Sequence, residues 1–338
     1  MSAPYPEATD IANLLQAAQH VLILQAENPD ADSLGSALAL EQILGEQGKK
    51  TTLFCSVDVP GYLRYLEGWD RVVSELPGQF DASIIVDAST LTLFEKLTDG
   101  NRAQLSRKPC IVLDHHQEVS NTIPFATVRL NDHTRSSTGE LLVSLAEGCK
   151  WKLDATAGTF LMTAILGDTQ GLSNPLTSAE TYRIMAQLTD LGVDRQLLEE
   201  RRREFSKLPP KIYTYKAELI KRTEFYADNQ LALVSVPQAE ITEYSPLYNP
   251  APLIQGDMLQ VSSVELSVVL KHYADGKVTA AIRANPAAPV AAELAEHFGG
   301  GGHQAASGFK VTDGRPFNEI KSECISKATE LLTNLKRT

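Results

Sequence analysis

Short apolar runs that end on acids constrain the fold of this chain more than any other feature. Ser83-Ile84-Ile85-Val86 runs into Asp87, Ile111-Val112-Leu113 runs into Asp114-His115-His116, and Val21-Leu22-Ile23-Leu24 feeds a loop reading Asn28-Pro29-Asp30-Ala31-Asp32-Ser33-Leu34-Gly35-Ser36. A fourth apolar segment, 160–166, reads as a buried helix and continues into Gly167-Asp168-Thr169-Gln170-Gly171. Runs of this length without polar alternation are the mark of strands buried on both faces, as in a parallel sheet covered by helices. The carboxyl ends of such strands converge on one crevice, so acids scattered along the sequence are expected to meet in space.

The order of signals fits an α/β architecture. Strands are predicted at 21–24, 51–55, 83–86 and 110–113, with a helix at 34–45 for which Ser33 is the expected N-cap. Residues 137–204 read as helical, opening on Ser136-Ser137-Thr138-Gly139-Glu140, where Ser followed three residues later by Glu suggests a capping box. A basic stretch with the break Pro209-Pro210 follows, from Arg201 to Arg222, and reads as a linker and connecting helix. Its aromatics Tyr213, Tyr215, Phe225 and Tyr226 would either stack bases or pack the helix. Strands at 230–236, 264–272 and 278–283, a short helix at 290–297, a glycine loop at 299–302 and an amphipathic helix at 317–335 complete a second, smaller α/β domain. The expected division is 1–200, a linker at 201–228, and 229–338.

With 338 residues, 43% of them hydrophobic, the chain has enough apolar side chain for roughly two ordinary domains. No apolar run reaches the ~20 residues of a membrane span, and the start of the chain lacks the pattern of a signal peptide, so the sequence reads as cytoplasmic, with no membrane partner. Cys55, Cys110, Cys149 and Cys324 show no CxxC or zinc spacing and read as free thiols. A net charge of −11 argues against a long duplex nucleic acid, whose affinity comes from Lys and Arg on phosphates, but not against a short phosphorylated ligand.

Asp30, Asp32, Asp87, His115 and Asp168 together form an oxygen-rich set with one imidazole. Such a set suits manganese, with magnesium, cobalt or iron as alternatives, better than structural zinc. Several carboxylates can hold two divalent ions ~3.5–4 Å apart, the arrangement that favours in-line displacement at phosphorus. The consecutive backbone N–H groups of Gly300, Gly301 and Gly302 form a concavity for an anion, with His303 following and Arg283 on a neighbouring predicted strand.

These motifs, taken together and in order, resemble the DHH phosphoesterase family in the subgroup with a DHHA1 domain, and within it the stand-alone oligoribonuclease and pAp-phosphatase branch. The resemblance rests on Asn-Pro-Asp-Ala-Asp-Ser-Leu-Gly-Ser at 28–36, Val86-Asp87, Asp114-His115-His116, Gly167-Asp168-Thr169 and Gly-Gly-Gly-Gly-His at 299–303, and covers nearly the whole chain. It implies a parallel-sheet DHH domain with helices on both faces and a DHHA1 domain across a cleft. It implies two manganese ions bridged by Asp87, with Asp30 on one and Asp32, His115 and Asp168 chiefly on the other. His116 would face the phosphate, Asp114 would orient the imidazoles, and Ser136 and Thr138 would line the active-site wall. Arg283 and His303 would hold the nucleotide end that is not cut. The implied reaction is hydrolysis of short oligoribonucleotides or dinucleotides such as pApA to mononucleotides, and of pAp. A cyclic-di-AMP phosphodiesterase is the alternative enzyme, and a homodimer through the first domain rests on the resemblance alone.

One departure matters. The family pattern starts with His four residues before the first Asp, and here that position is Ala26. Three explanations stay open: replacement by Gln25, Glu27 or water; loss of one metal, leaving an impaired enzyme or a small-nucleotide binder; or an engineered substitution. Loss of that ligand is expected to leave the ion near Asp32, His115 and Asp168 the better held of the two.

Overall fold

The computed structural model describes residues 5–116, 122–245 and 248–335, with the side chain of His303 outside the described part. The chain divides into two compact units, Met1–Lys207 and Leu208–Thr338.

The first unit runs α1 (Ala8–Ala17), β1 (His20–Leu24), α2 (Ala31–Glu46), β2 (Lys50–Phe54), β3 (Ala82–Val86), α3 (Asp99–Leu105), β4 (Cys110–Asp114), β5 (Val128–Asn131), α4 (Thr138–Cys149), α5 (Ala155–Asp168), α6 (Ala179–Asp190) and α7 (Arg195–Phe205). Its five strands are all parallel, in the order β2-β1-β3-β4-β5. Alternate residues serve opposite faces. Val21, Ile23, Ile84, Val86, Ile111 and Leu113 join one apolar cluster with α1, α2 and α4 to α7. Leu22, Leu24, Ile85 and Val112 join another, covered by Phe54, Phe94, Leu97 and Leu105. Helices therefore lie on both faces, but unequally.

Two expectations shift. The second helix starts three residues earlier than the pattern suggests, because Asp30 rather than Ser33 is its N-cap. The Asp30 carboxylate accepts from Ser33 N at 2.9 Å while the Ser33 hydroxyl oxygen accepts from Asp30 N at 2.9 Å. The fifth strand gave no signal, since only Leu130 of its four residues is buried.

The second unit contains α8 (Pro210–Lys221), β6 (Glu224–Tyr226), β7 (Leu231–Pro237), α9 (Gln238–Tyr244), α10 (Pro250–Leu259), β8 (Leu266–His272), β9 (Val278–Ala284), α11 (Ala291–His297), β10 (Gly301–His303), β11 (Ala306–Val311) and α12 (Phe317–Leu335). Its six-stranded sheet has the order β10-β11-β9-β8-β7-β6, with β7 and β8 parallel and the other pairs antiparallel. One face packs on α11 and α12, the other on α8 and α10. Tyr215 is buried in the second of these clusters and stacks on Tyr244 with ring centroids 3.9 Å apart, so its role is packing. Among the described residues no helix is long and apolar enough to cross a membrane.

Candidate functional site

Between β1 and β3 the strand order reverses, one crossover leading outward to β2 and the others leading the opposite way. That switch point is where an open parallel sheet leaves a crevice at its carboxyl edge. The loop after β1 delivers Asp30 and the first turn of α2 delivers Asp32, Asp87 directly follows β3, and the end of β4 delivers Asp114 with His115 and His116 just beyond. The carboxyl end of α5 adds Asp168, made possible by close contact between α5 and α2: a Cβ on Gly35 would lie 2.7 Å from the Phe160 carbonyl oxygen.

Three carboxylates converge on one imidazole nitrogen. His115 Nε2 lies 2.9 Å from Asp168 Oδ2, 3.6 Å from Asp32 Oδ2 and 3.7 Å from Asp87 Oδ1. Its Nδ1 lies 3.2 Å from the Arg135 carbonyl oxygen, which can only accept, so Nδ1 carries the proton and Nε2 presents a lone pair. Nε2 is buried, with the Asp168 carboxylate the nearest of the three. A buried acceptor facing three carboxylates is repulsive until a proton or a cation stands between them. Asp32, His115 and Asp168 can close on one ion, and Asp87, His115 and His116 form an overlapping set. Oxygen with one or two imidazoles is a donor set for a divalent ion, and the site fits one.

The supports of these groups are hydrogen bonds from the first turn of α4 and from the strand ends. Asp32 is fully buried and accepts from Thr138 N at 2.7 Å, from Gly139 N at 2.9 Å and from the Ser36 hydroxyl at 3.2 Å. A helix N-terminus is the natural place for a carboxylate. The Thr138 hydroxyl donates to Asp87 Oδ1 at 3.1 Å. Asp87 holds a left-handed backbone at φ 58°, a conformation that Asp tolerates better than most residues, and its N–H still donates to the Leu113 carbonyl at 2.9 Å. Asp114 Oδ1 accepts from the backbone N–H groups of His115 and His116 and lies 2.8 Å from His116 Nδ1, while the Ser89 hydroxyl donates to its other oxygen. Asp114 thus sets the ring of His116, whereas the ring of His115 is set by Arg135.

Electrostatics follow from this crowding. Burial, then the Asp168 charge, pushes the Asp32 carboxyl up to about 6. Burial and the neighbouring Asp32, Asp30 and Asp168 push Asp87 well above the usual range. Asp30 is also raised, by burial first. Burial pulls His115 down, but the hydrogen bond to Asp168 and the charges of Asp32 and Asp168 outweigh it and lift the ring to about 9. The Asp114 carboxylate raises His116. Burial acts on Asp114 in the opposite sense, and the His116 and Ser89 hydrogen bonds overcome it, leaving the carboxyl below its ordinary value.

The other residues singled out in the sequence fall into three groups. Asp30 feels the charges of Asp32, Asp87 and Asp168 but gives one oxygen to the cap of α2. Ser136 is buried and its hydroxyl donates to Glu140 Oε2 at 2.5 Å, so it is a framework group. In the second unit the register sets positions 303, 306 and 283 in one row across β10, β11 and β9. Gly300 and Gly302 allow β10 to approach β11, since a Cβ would lie 2.2 Å from the Gly308 carbonyl oxygen in the first case and 2.7 Å from that of Ala306 in the second. Gly301 faces open space and Arg283 is exposed.

Sequence reading missed the buried support behind the site. Glu140 Oε2 accepts from the hydroxyls of Ser136 and Thr181, the latter at 2.8 Å, and Glu140 Oε1 lies 3.4 Å from Arg135 Nη1. Arg135 also reaches Asp132 and the Tyr5 hydroxyl through Nε, at 3.1 and 3.0 Å. The carbonyl of that same Arg135 orients His115. The only signal for Glu140 was its place in the capping-box pattern. Its backbone N–H does bond to Ser137, but its carboxylate turns to Ser136 and Thr181.

Ala26 is buried in an apolar cluster with Phe54, Phe80, Ile85, Ala88 and Phe94. The Glu27 carboxylate is engaged by the backbone N–H of Lys96. Gln25 is fully buried and neither end of its carboxamide has a hydrogen-bond partner.

Residues 20–166 match the model of the DHH family, N-terminal domain. The chain is 22% identical, over 90% of its length and 93% of the relative's, to the bifunctional oligoribonuclease and PAP phosphatase NrnA of Bacillus subtilis. It is 23% identical to the probable enzyme of that name from Streptococcus mutans, over 87% of this chain and 90% of that one. A further similarity, at 24% identity over 87% of this chain and 45% of the other, is to the cyclic-di-AMP phosphodiesterase GdpP of Bacillus subtilis. The crystal structure of an exopolyphosphatase-related protein from Bacteroides fragilis has the same fold, with a TM-score of 0.86 and 20% identity over 98% of this chain and 99% of that one.

Proposed function

Residues 20–166 belong to the DHH family, and from that premise we propose that this protein is a divalent-metal-dependent phosphodiesterase that cuts short oligoribonucleotides or pApA-like dinucleotides to mononucleotides, with pAp as a further substrate. The observation that carries the reading is the buried Nε2 of His115 facing the three carboxylates of Asp32, Asp87 and Asp168. Substrate class comes from the relatives, whose names give short RNA and pAp and whose length this chain nearly matches.

Asp32, His115 and Asp168 would hold one manganese ion, and Asp87 with Asp30 would hold a second. Such ions supply an activated water and a positive charge on the oxygens at phosphorus. The chain itself supplies the rest. Asp114 fixes the ring of His116 through Nδ1, leaving Nε2 of that half-exposed ring for a phosphate oxygen or the leaving group. The raised basicity of His116 suits it to carry a proton there. In the second unit, the row at 303, 306 and 283 and the open Gly301 would take the remaining nucleotide.

The test is turnover of a labelled RNA dinucleotide with manganese, run beside Ala26→His and Asp87→Asn. Turnover by the native chain that Asp87→Asn abolishes supports the reading. Turnover only in Ala26→His would make the native chain an impaired enzyme or a binder, and silence in both would refute dinucleotide hydrolysis.

A further inference from the structure

A cavity of about 380 Å³ lies wholly within the first unit and borrows its wall from the carboxylate site. Two of its lining residues are Ala31, set between Asp30 and Asp32, and Gly167, next to Asp168. These two touch: a Cβ on Gly167 would lie 2.6 Å from that of Ala31. The wall also brings in Tyr62 and Tyr65 and, from α7, Arg195 together with the paired Glu199 and Arg202. The volume is within the ~300–1,000 Å³ range of small-molecule sites.

The chemistry of the lining is particular. Tyr62 is the middle residue of a short turn of helix at Gly61–Leu63 that starts after Pro60, exposes half its surface, and its hydroxyl lies 3.5 Å from the carbonyl oxygen of Pro29, the residue before Asp30. Its ring is thereby tied to the loop that carries two site carboxylates. Tyr65 is buried, contributing a second aromatic surface. Arg195 stands at the first position of α7 and is exposed. The arginines that follow on α7 are engaged with acids, Arg202 and Arg203 with Glu199 and Arg201 with Glu67. An aromatic face beside an exposed guanidinium accepts a planar, electron-rich ring next to an anionic group, the two ends of a nucleotide.

We propose that this cavity is a nucleoside subsite, in which the base of the nucleotide nearest the scissile phosphate stacks on Tyr62 while Arg195 meets its sugar or phosphate oxygens. The inference rests on the phosphodiesterase reading and deepens it. A subsite flanking the carboxylates makes the first unit bind one nucleoside itself, so a dinucleotide is held more firmly than a phosphodiester without bases.

The subsite and the phosphodiesterase activity are separable by experiment. Wild-type protein with manganese is first assayed on bis(4-nitrophenyl) phosphate, which has no base, and on diadenylate. Failure on both substrates overturns the phosphodiesterase reading and this subsite with it. Where wild type turns over, Tyr62→Ala is expected to raise the KM for diadenylate about tenfold, well beyond its effect on kcat, the size expected for one lost base–aromatic stack. Tyr62→Phe restores the KM, because the ring rather than the hydroxyl carries the contact, and Arg195→Ala raises it as well. Photolabelling with 8-azidoadenosine 5′-monophosphate locates the base independently, with label expected on peptides containing Tyr62 or Arg195. An unchanged KM in Tyr62→Ala, or label found only in the second unit, overturns the subsite while leaving the enzyme reading intact.

Discussion

At the scale of single residues, the two adjacent histidines differ in what holds them, and the difference is measurable. His115 depends on the Arg135 carbonyl, His116 on the Asp114 carboxylate. Asp114→Asn therefore weakens the hold on His116 and is expected to lower kcat by about 10–100-fold, the usual cost of losing a carboxylate behind a site histidine. Tight binding of one manganese ion, followed by calorimetry, should survive the change; loss of that binding would contradict the division of roles. Ala26 gives a second expectation. It lies in one apolar cluster with Phe54 and Phe94, so the position is part of the core here. Gln25 follows Leu24, which pairs with Ile85, so it lies level with Val86, one residue short of Asp87. The native chain should bind one manganese ion tightly and give the six-line electron paramagnetic resonance spectrum of an isolated ion. Ala26→His should bring in a coupled pair, at an overpacking cost of roughly 1–3 kcal/mol. Coupled-pair spectra from the native chain would mean that Gln25 or a water does replace the histidine.

Elements matter to the site through their ends. The first turn of α4 gives Asp32 two backbone N–H groups, and its position is set by close packing: a Cβ on Gly139 would lie 2.5 Å from that of Ala164 and 3.1 Å from the Leu161 carbonyl oxygen. Gly139→Ala is expected to push α4 away from α5, costing about 1–3 kcal/mol in thermal stability and weakening manganese binding in the same variant. Retained metal affinity at reduced stability would mean that α4 supports the fold but not Asp32. The sequence announced the strands that carry the site because burial on both faces leaves unbroken apolar runs, and acids after such runs have no packing explanation. It hid what depends on pairing. Strand β5 is a four-residue edge with polar positions, and the hairpin of β10 and β11 looked like a loop because its glycines serve strand approach. The start of α2 was misjudged since both Asp30 and Ser33 are cap formers, and only geometry separates the cap from its reciprocal partner. Glu140 and Arg135 were invisible for another reason: an acid and a base in polar sequence read as surface until the fold buries them.

For the whole molecule, the cost of gathering these groups is a pH dependence of stability that metal should reverse. Asp32 titrates near 6 in the folded, metal-free chain against 3.8 ordinarily, so its contribution is full below about pH 4 and is lost as pH rises through 6. His115 titrates near 9 against 6.5, so its contribution is full below 6.5 and is lost as pH rises through 9. Both act in one direction, and the metal-free first unit should lose stability steadily from about pH 4 to 9. Asp114, held below its ordinary value, acts in the opposite sense, but only below about pH 4. A divalent ion displaces the protons that hold these groups together, so it binds more tightly as pH rises. At a hundredfold excess over its dissociation constant it adds about 2.7 kcal/mol, which for a unit of this size is roughly 5–10 °C. Differential scanning calorimetry at a fixed manganese concentration should therefore show a larger upward shift at pH 8 than at pH 5.5. The shift should be confined to the transition of the first unit, since the second unit has its own apolar clusters and none of these carboxylates. A shift as large at pH 5.5 as at pH 8 would mean that the ion binds elsewhere, because no set of buried carboxylates sharing protons with His115 could bind it independently of pH.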